Sequence, residues 1–533
     1  MKGAESFVKA LEKEGVTHVF GVPGEETLDL TEALRTSKIR LVVTRHEAGA
    51  GFMAATYGRL TGRAGVALST LGPGATNLVT SAAYAQLGAM PMVMVTGQKP
   101  VRARAQGRFQ LVDVVGTMET LTKTASSLPS ADAIPARVRD AFRMAEEERP
   151  GAAHLELPED VAREPTSARV LPRVKTARPV ADEASVARAI DAIESARRPL
   201  FVIGAGANRK ATSPMLRALV EKTGIPFVTT QMGKGVLDET SPAWVGTTAR
   251  SSGDRVHEAI EAADVVVTFG HDVVEKPPFV SDRERVLVHV AFSSAAVEPV
   301  YAPTMEVVGD IGNAASRFFE SITVRDHWDF SAAWAARAKT LAEVAAGATD
   351  ERFPLHPARI VAEVRAAMPA SGITCLDNGM YKLWFARAYP CTRPSSLLLD
   401  NALATMGAGL PSAIAAKLVA PERPVVAVVG DGGLMMSLAE LETAVRLGVH
   451  VVVLVVRDDG YGMIKWKQEE MGMPSFAMDL GNPDFPKLAE AFGARGHAVR
   501  AASELGPVLE RALASEGVHV IDVPVEYTPW EAP

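Results

Sequence analysis

Short apolar runs rich in β-branched residues alternate with amphipathic stretches along almost the whole chain. Examples are residues 200–203 (LFVI), 265–268 (VVVT), 425–429 (VVAVV) and 451–456 (VVVLVV). Apolar runs of about four to eight residues are typical of strands that are buried on both faces, and helical patterns separate them. The alternation therefore predicts an α/β fold built from doubly wound parallel sheets.

Two stretches interrupt this alternation. Residues 162–183 are polar, contain proline and lack periodicity, whereas residues 323–357 are Ala-rich and helical up to the prolines at 354 and 357. They predict three α/β domains, at residues 1–165, 184–322 and 356–533. Three domains suit a chain of 533 residues, because a domain has about 150 residues.

Charge and composition exclude several classes of protein. The 56 basic and 63 acidic residues give a net charge of −7, which argues against a nucleic-acid binder. The apolar runs are far shorter than the roughly 20 residues of a membrane helix, and the first 16 residues lack the apolar core of a signal peptide. Two cysteines cannot form a disulfide framework. We expect a soluble protein in a reducing, cytoplasmic setting.

Two carboxylates follow consecutive predicted strands of the last domain. Asp431 lies in a predicted turn at 430–433 after the strand at 424–429, and Asp458 lies in a turn at 458–462 after the strand at 451–456, with a predicted helix at 437–447 between them. The carboxyl ends of parallel strands meet at one edge, where ligands bind. Glycines there let backbone N–H groups approach a phosphate, and the carboxylates would hold a hard dication. A GDG turn alone is common, but two turns that each carry a carboxylate, after consecutive strands, favour a site that binds a phosphate and a dication.

This arrangement resembles the signature of thiamine diphosphate enzymes, in which a GDG turn precedes an Asn-rich turn. Here 25 residues, Gly433 to Arg457, separate the GDG from Asp458, which stands where the family usually has Asn. The resemblance implies Mg²⁺ held by Asp431, Asp458 and the main-chain carbonyl of Gly460, with two diphosphate oxygens and water. It also implies cofactor contacts from the two turns, at Gly432, Gly433, Tyr461, Gly462 and Met463.

The first domain contains RHEAGAGFMAATYGRLTGRAGVALSTLGPGATNLVTSAAYA, which is similar to the pyrimidine-binding domain of acetolactate synthases. Alone, Glu47 before a predicted helix at 50–60 would be read as an acid that complements the helix dipole. The resemblance implies instead that Glu47 hydrogen-bonds N1′ of the cofactor and promotes its imino tautomer. It also implies that Pro73 and Asn77, within GPGATN, contact the pyrimidine.

The resemblance continues along most of the chain. It implies substrate contacts at Phe109 and Gln110, and a wedge role for Met406 in TMGAGLP, where the methionine separates the two cofactor rings. The Ala404 carbonyl would receive the 4′-amino group. Met380 and Tyr381 occupy the family's diphosphate-contact positions, although their types differ from the usual polar pair.

Three features indicate which member of the family the chain resembles. Residues 106–110 contain no histidine that could protonate a bound intermediate, which favours carboligation over aldehyde release. Residues 270–275 (GHDVVE) lack the flavin-type Gly-Arg-Phe-Asp pattern and resemble flavin-independent, catabolic acetolactate synthases, so FAD is not expected. The imperfect G-x-G-x-x-R fingerprint at 204–209 leaves a nucleotide open. Lys467 stands where members that prefer 2-ketobutyrate place a tryptophan, and it could attract an acceptor carboxylate or be a solvated surface lysine.

The resemblance implies a homo-oligomer that uses thiamine diphosphate and Mg²⁺ and acts on pyruvate. Pyruvate would be decarboxylated and its two-carbon unit joined to a second 2-oxo acid, giving acetolactate, in sites shared between subunits. The alternatives are another thiamine diphosphate-dependent decarboxylase of the 2-oxo acid or oxalyl-CoA type, and a flavin oxidoreductase similar to pyruvate oxidase. A non-catalytic relic is the fourth hypothesis, and Glu47 together with Asp431 and Asp458 argues against it.

Overall fold

The structure is a computed structural model that describes residues 1–101, 109–174, 178–209, 212–280 and 285–527. Within these residues the chain forms three six-stranded sheets, one in each third of the sequence. Their strand pairs are parallel, and helices follow most of the strands. The predicted α/β fold with three parallel-sheet domains is confirmed.

The first sheet is built from residues 18–158. Its strands are β1 (His18–Gly21), β2 (Arg40–Val43), β3 (Gly65–Ser69), β4 (Met92–Gln98), β5 (Thr124–Ser127) and β6 (Ala152–Pro158). The helices of this third are α1 (Gly3–Glu14), α2 (Leu28–Arg35), α3 (Glu47–Thr61), α4 (Pro73–Asn77), α5 (Val79–Leu87), α6 (Val114–Glu119), α7 (Ile134–Glu146) and α8 (Glu159–Arg163). Strands β3, β4 and β6 are buried along their whole length, and β6 is buried although it contains His154 and Glu156.

The second sheet is built from residues 199–308. Its strands are β7 (Pro199–Ile203), β8 (Phe227–Thr230), β9 (Trp244–Thr248), β10 (Val265–Phe269), β11 (Val286–Ala291) and β12 (Met305–Val308). The accompanying helices are α9 (Glu183–Ser195), α10 (Thr212–Thr223), α11 (Val256–Ala262) and α12 (Ile311–Ser321). The Ala-rich connection that follows contains α13 (Ser331–Ala348), as predicted.

The third sheet is built from residues 373–524. Its strands are β13 (Ile373–Leu376), β14 (Leu397–Leu398), β15 (Val425–Gly430), β16 (Val451–Arg457), β17 (Arg495–Ala498) and β18 (Val518–Pro524). The helices are α14 (Pro357–Ala367), α15 (Lys382–Ala388), α16 (Gly409–Val419), α17 (Asp431–Ser437), α18 (Glu440–Leu447), α19 (Gly462–Glu470), α20 (Phe485–Ala491) and α21 (Leu505–Ala514).

Three local predictions were wrong. The predicted turn at 430–433 is instead the last residue of β15, Gly430, followed by the first turn of α17, which contains Gly432 and Gly433. The single helix predicted at 437–447 is divided, because α17 ends at Ser437 and α18 begins at Glu440. Helix α3 begins at Glu47, three residues before the predicted start at Ala50. In the first case the helix starts directly after a strand, without the separate turn that glycine usually signals.

The strand order fixes where ligand crevices lie. The orders are β2-β1-β3-β4-β6-β5, β12-β11-β10-β7-β8-β9 and β14-β13-β15-β16-β18-β17. The orders reverse at β1/β3, β7/β10 and β13/β15, and the first and third orders reverse again at their edges, at β6/β5 and β18/β17. In open parallel sheets, ligands bind outside the carboxyl ends of the strands at such a reversal.

The chain divides into two compact units. One contains Met1–Thr176, Leu403–Glu422 and Met435–Val449, and the other contains Ala177–Ala402, Arg423–Leu434 and His450–Pro533. In the first unit α16 packs against α3, and the Thr56 hydroxyl donates to the Ser412 hydroxyl over 2.9 Å in this buried contact. The second unit contains the second and third sheets.

None of the helices in the described part of the chain is long and apolar enough to span a bilayer. Cys375 and Cys391 are both buried, and they are not joined in a disulfide.

Candidate active site

Glu47 is the first residue of α3, which begins four residues after β2 ends at Val43. His46 caps the helix, because its Nδ1 accepts from the Ala48 N–H over 3.0 Å. The main-chain N–H groups of Arg45 and His46 donate to Glu440 Oε1 over 3.1 and 3.0 Å. Glu440 thus satisfies the backbone donors before the helix, and the carboxylate of Glu47 does not need to do so.

The carboxylate of Glu47 faces the GPGATN segment. Asn77 Nδ2 donates to Glu47 Oε2 over 2.9 Å. A Cβ on Gly74 would lie 3.1 Å from Glu47 Oε1 and 3.0 Å from Thr70 Cγ2, so a glycine leaves the carboxylate in place. Glu47 is 9% exposed, whereas Pro73 and Asn77 are exposed. The structure therefore brings the predicted acid and the predicted pyrimidine contacts together on an accessible surface.

Phe109 and Gln110 lie beside the same segment. Gln110 has a positive φ of 57°, and its carbonyl oxygen lies 2.9 Å from the position of a Cβ on Gly72. A side chain at position 72 would push this loop away. Phe109 is 69% exposed, which leaves its ring available to a ligand.

Ala404 and Met406 belong to the same compact unit as Glu47. Ala404 is exposed and has a φ of 55°, a left-handed conformation that is uncommon for alanine. Met406 is half-buried, and its carbonyl accepts a hydrogen bond from the Thr405 hydroxyl over 3.1 Å. A strained backbone at this position fits a loop that is shaped for a ligand.

Asp431 lies at the carboxyl end of β15 and is 1% exposed. Its Oδ1 accepts from the Gly432 N–H over 2.8 Å, and its Oδ2 accepts from Asn482 Nδ2 over 2.7 Å. Asn482 also donates to Asp459 Oδ1 over 2.8 Å. It therefore links the two acidic turns, which are the segments that carry Asp431 and Asp458. Burial raises the pKa of Asp431. Sequence reasoning missed Asn482, because it lies in a loop that no motif marks.

Asp458 follows β16, the strand that neighbours β15. The strand register pairs Gly430 with Val456, which places Asp431 and Asp458 at one edge of the sheet. Burial and the charge of Asp431 raise the pKa of Asp458 to about 7. A Cβ on Gly462 would lie 2.2 Å from Asp458 Oδ2, so this close approach requires glycine.

The two acidic turns fit a magnesium site. A divalent cation would relieve the repulsion that raises the pKa of Asp458. Two carboxylates and the Gly460 carbonyl are hard oxygen donors, which Mg²⁺ prefers together with phosphate oxygens and water. In the residues that the structure describes, no group of three or more His, Cys, Asp or Glu could hold a metal ion. A site here needs the backbone and phosphate oxygens as well.

Met380 and Tyr381 are both deeply buried. Met380 is 3% exposed and packs with Leu383 and Ala386. Tyr381 is 2% exposed, and its hydroxyl accepts from the Gly430 N–H over 2.9 Å. Tyr381 therefore fixes the end of β15, one residue before Asp431. Diphosphate contacts from these two residues stay a prediction.

Comparisons with known proteins agree with this geometry. Residues 1–117, 186–318 and 377–523 match the N-terminal thiamine pyrophosphate-binding domain, the central domain and the C-terminal thiamine pyrophosphate-binding domain of thiamine pyrophosphate enzymes. The chain is 34% identical to an acetolactate synthase of Bacillus subtilis, over 99% of this chain and 94% of the relative. It is 35% identical to a catabolic acetolactate synthase of Raoultella terrigena, over 98% of this chain and 95% of that relative. The chain belongs to the acetolactate synthase family of thiamine diphosphate enzymes.

In this member of the acetolactate synthase family, the crevice of the central sheet is filled by its own backbone. The Gly204 N–H donates to the Phe269 carbonyl and the Gly206 N–H to the Gly270 carbonyl, each over 2.9 Å. A Cβ on Gly204 would lie 2.5 Å from the Gly270 oxygen. These glycines permit two loops to pack together, so their pattern does not by itself indicate a nucleotide site.

Glu275 takes up further donors at the same edge. Its carboxylate accepts from the Ala205 N–H over 2.9 Å, the Thr230 hydroxyl over 2.8 Å and the Met232 N–H over 3.0 Å. Glu275 is 2% exposed, and burial raises its pKa to about 7. An acidic side chain thus occupies backbone donors that a phosphate could otherwise use.

Lys467 lies on the surface of α19. Its Nζ is 4.5 Å from the centre of the Trp466 ring and forms an ion pair with Glu470. Both interactions are those of a solvated surface lysine. Its predicted contact with an acceptor carboxylate stays a prediction.

Proposed function

We propose that the protein is an acetolactate synthase that uses thiamine diphosphate and Mg²⁺. In this reaction one pyruvate is decarboxylated, and its two-carbon unit is joined to a second 2-oxo acid. The relatives from Bacillus subtilis and Raoultella terrigena are acetolactate synthases that match over nearly their whole length. The observation that carries the proposal is the contact of Glu47 with Asn77, together with the neighbouring carboxylates of Asp431, which is buried, and Asp458, which is half-buried.

Bound thiamine diphosphate supplies a nucleophilic thiazolium carbon and an electron sink for the loss of carbon dioxide. The chain supplies the groups that hold it. Asp431, Asp458 and the Gly460 carbonyl would hold Mg²⁺ against the diphosphate. Glu47 would share a proton with N1′ through a hydrogen bond, and so control the proton at the 4′-amino group.

The remaining predicted residues have positioning roles in this proposal. The exposed Ala404 carbonyl would accept from the 4′-amino group, and Met406 would separate the two rings. Gln110 would orient the substrate, and the exposed ring of Phe109 would exclude water from it. Ala404, Phe109 and Gln110 are exposed and Met406 is half-buried, which supports these roles because a bound ligand can reach each of them.

Product analysis tests the proposed reaction. Purified enzyme is incubated with pyruvate, thiamine diphosphate and MgCl₂, and the products are identified by NMR. We expect acetolactate and carbon dioxide in equal amounts. Acetaldehyde without acetolactate would show a simple decarboxylase, and consumption of oxygen would show an oxidase.

We propose further that the enzyme is a homo-oligomer whose sites are shared between subunits. One cofactor must touch Glu47 and Asp431, which lie 384 residues apart in the sequence and belong to different compact units. A two-fold arrangement would pair the first domain of each subunit with the third domain of its partner.

Mixing two inactive variants tests the shared site. Glu47→Gln removes the proton-transfer group with little change in shape, and Asp431→Ala removes the metal ligand. In a shared site, a mixed dimer has one site with both changes and one with neither. Random mixing should then restore about one quarter of the wild-type activity. Mixed dimers that form but stay inactive would show that each chain completes its own site.

A further inference from the structure

Lys382 is a buried lysine at the start of α15, near the carboxyl end of β13. It is 6% exposed. Its Nζ donates to Asn378 Oδ1 over 2.7 Å, to the Asp400 carbonyl over 2.9 Å and to Asn401 Oδ1 over 3.0 Å. An ammonium has three N–H donors, and here each has an acceptor.

The three acceptors are neutral oxygens, two from side-chain amides and one from the backbone. Rings of such oxygens replace the hydration shell of potassium in proteins. The ionisable groups that face the ammonium are the carboxylates of Asp377 and Asp400 and the ammonium of Lys276. Burial lowers the pKa of Lys382 to about 8, so it remains mostly protonated at neutral pH.

The partners of Lys382 lie in two segments of the chain, at Asn378 and at residues 400–401. Asn401 also donates from Nδ2 to the Glu275 carbonyl over 2.5 Å, which ties the loop to the central domain. The Ala402 N–H donates to Asp400 Oδ1 over 3.1 Å. Residues 400–402 lead directly into Ala404 and Met406, the proposed contacts of the cofactor pyrimidine.

We propose that the Lys382 ammonium takes the place of a bound monovalent cation, because the neutral oxygens around it have the chemistry of a site for such an ion. We propose also that Lys382 positions the 400–402 loop. Its effect on Ala404 and Met406 rests on the proposed function, whereas the cation site does not. Lys382 is a positioning residue, because it reaches the reacting groups only through this loop. The wild-type enzyme therefore needs no potassium here.

Replacement of the lysine should create a need for a small cation. Lys382→Gln shortens the side chain, removes the charge and leaves an additional oxygen. Lys382→Met removes the charge and fills the space with an apolar chain. Lys276→Gln is the matched control, because it removes an exposed lysine from the same surroundings.

The first measurement is the thermal midpoint without cofactor, in potassium, ammonium, lithium or tetramethylammonium chloride at equal ionic strength. We expect Lys382→Gln to have a lower midpoint in tetramethylammonium and to recover in potassium or ammonium, with less recovery in lithium. Wild type, Lys276→Gln and Lys382→Met should not respond to the choice of cation. This result does not depend on the reaction that the enzyme catalyses.

The second measurement is acetolactate formation with saturating thiamine diphosphate and MgCl₂. We expect Lys382→Gln to lose at least tenfold in kcat in tetramethylammonium and to regain most of it in potassium. Recovery of the midpoint without recovery of activity would support the cation site and contradict its role in the active site. If wild type forms no acetolactate, the proposed function fails and the midpoints still test the cation site.

Three results would overturn the inference. The first is a Lys382→Gln variant that folds normally and has the same thermal midpoint with and without potassium. The second is a wild-type midpoint that falls when potassium is absent. If Lys382→Gln does not fold, Lys382→Ala is produced with n-propylammonium, which replaces the missing carbons and ammonium. Failure of n-propylammonium and potassium to restore either variant would show that the lysine does not act as a replaceable cation.

Discussion

Glu275 gives a stability prediction whose size follows from its surroundings. Burial raises its pKa from 4.5 to about 7, although three donors contact the carboxylate. Because the folded pKa lies above the unfolded value, the stability that protonation contributes is full below about pH 4.5 and is lost as the pH rises through about 7. Between pH 5.5 and 8 this loss should be about 2 kcal/mol, at about 1.36 kcal/mol for each pH unit below the folded pKa.

Glu275→Gln removes the ionisation with little change in shape. The amide oxygen can still accept from Ala205 and Thr230, but the amide nitrogen would face the Met232 N–H, at a cost of about 1–3 kcal/mol. The variant should therefore be less stable than wild type at pH 5.5. This difference should shrink by about 2 kcal/mol towards pH 8, because only wild type loses stability through this group.

Urea unfolding followed by circular dichroism at several pH values measures this difference. Glu298→Gln is the control, because Glu298 is an exposed glutamate in the same domain, and its difference from wild type should not change with pH. Parallel stability curves for wild type and Glu275→Gln would refute the reasoning. They would mean that the three donors keep Glu275 ionised in this range.

Three further predictions concern the proposed site. Asp431→Ala should abolish retention of thiamine diphosphate in equilibrium dialysis. Asp458→Asn should keep the affinity for thiamine diphosphate within about tenfold, because an amide oxygen is still a hard ligand. Equal losses in the two variants would contradict the metal assignment. Gly74→Ala should slow deuterium exchange at C2 of the bound cofactor about tenfold or more, because its Cβ would displace the Glu47 carboxylate, whereas Thr76→Ala, on the exposed side of the same helix, should not. The purified enzyme should be colourless and indifferent to added FAD; a flavin absorbance band that persists through gel filtration would contradict this.

The sequence predicts the fold, and the edge of the sheet at which Asp431 and Asp458 meet, for a local reason. Strands β15 and β16 are continuous apolar runs, so their ends are visible in the sequence. Parallel pairing then brings the residues after them to one edge, and this places Asp431 beside Asp458. Glu47 also follows a strand, β2, but only the family resemblance implied that it shares the pyrimidine with Asn77, and the contact between the two side chains is a finding of the structure.

The start of α3 was predicted less well because its signals are weak. The first turn contains Glu47, Ala48 and Gly49, and glycine lowers helix propensity. His46 is not one of the usual capping residues, although its Nδ1 performs this role. A Cβ on Gly49 would lie 2.6 Å from Glu440 Oε1, so this glycine permits a tertiary contact that no local pattern shows.

The residues that the sequence missed hold other segments of the chain in place. Glu440 supports the turn before Glu47 across almost 400 residues, and Lys382 holds the loop at 400–402. Each is a buried charge whose partners are backbone or amide groups of another segment. Such a residue looks like any surface acid or lysine until the fold brings its partners together, because charged residues are rarely fully buried.

Glycine-rich turns show most clearly what the sequence could not decide. The third sheet has Gly430, Gly432 and Gly433 at its strand reversal, and the central sheet has Gly204 and Gly206 at its own. In the central sheet the N–H groups of both glycines and of Ala205 already have acceptors, in the backbone and in Glu275. In the third sheet, Gly430 donates to Tyr381 and Gly432 to Asp431, which leaves the two acidic turns with a buried negative charge that a cation can compensate. Whether such a glycine segment could hold a phosphate therefore depends on the acids around it, which are Glu275 in the central sheet and Asp431 with Asp458 in the third sheet.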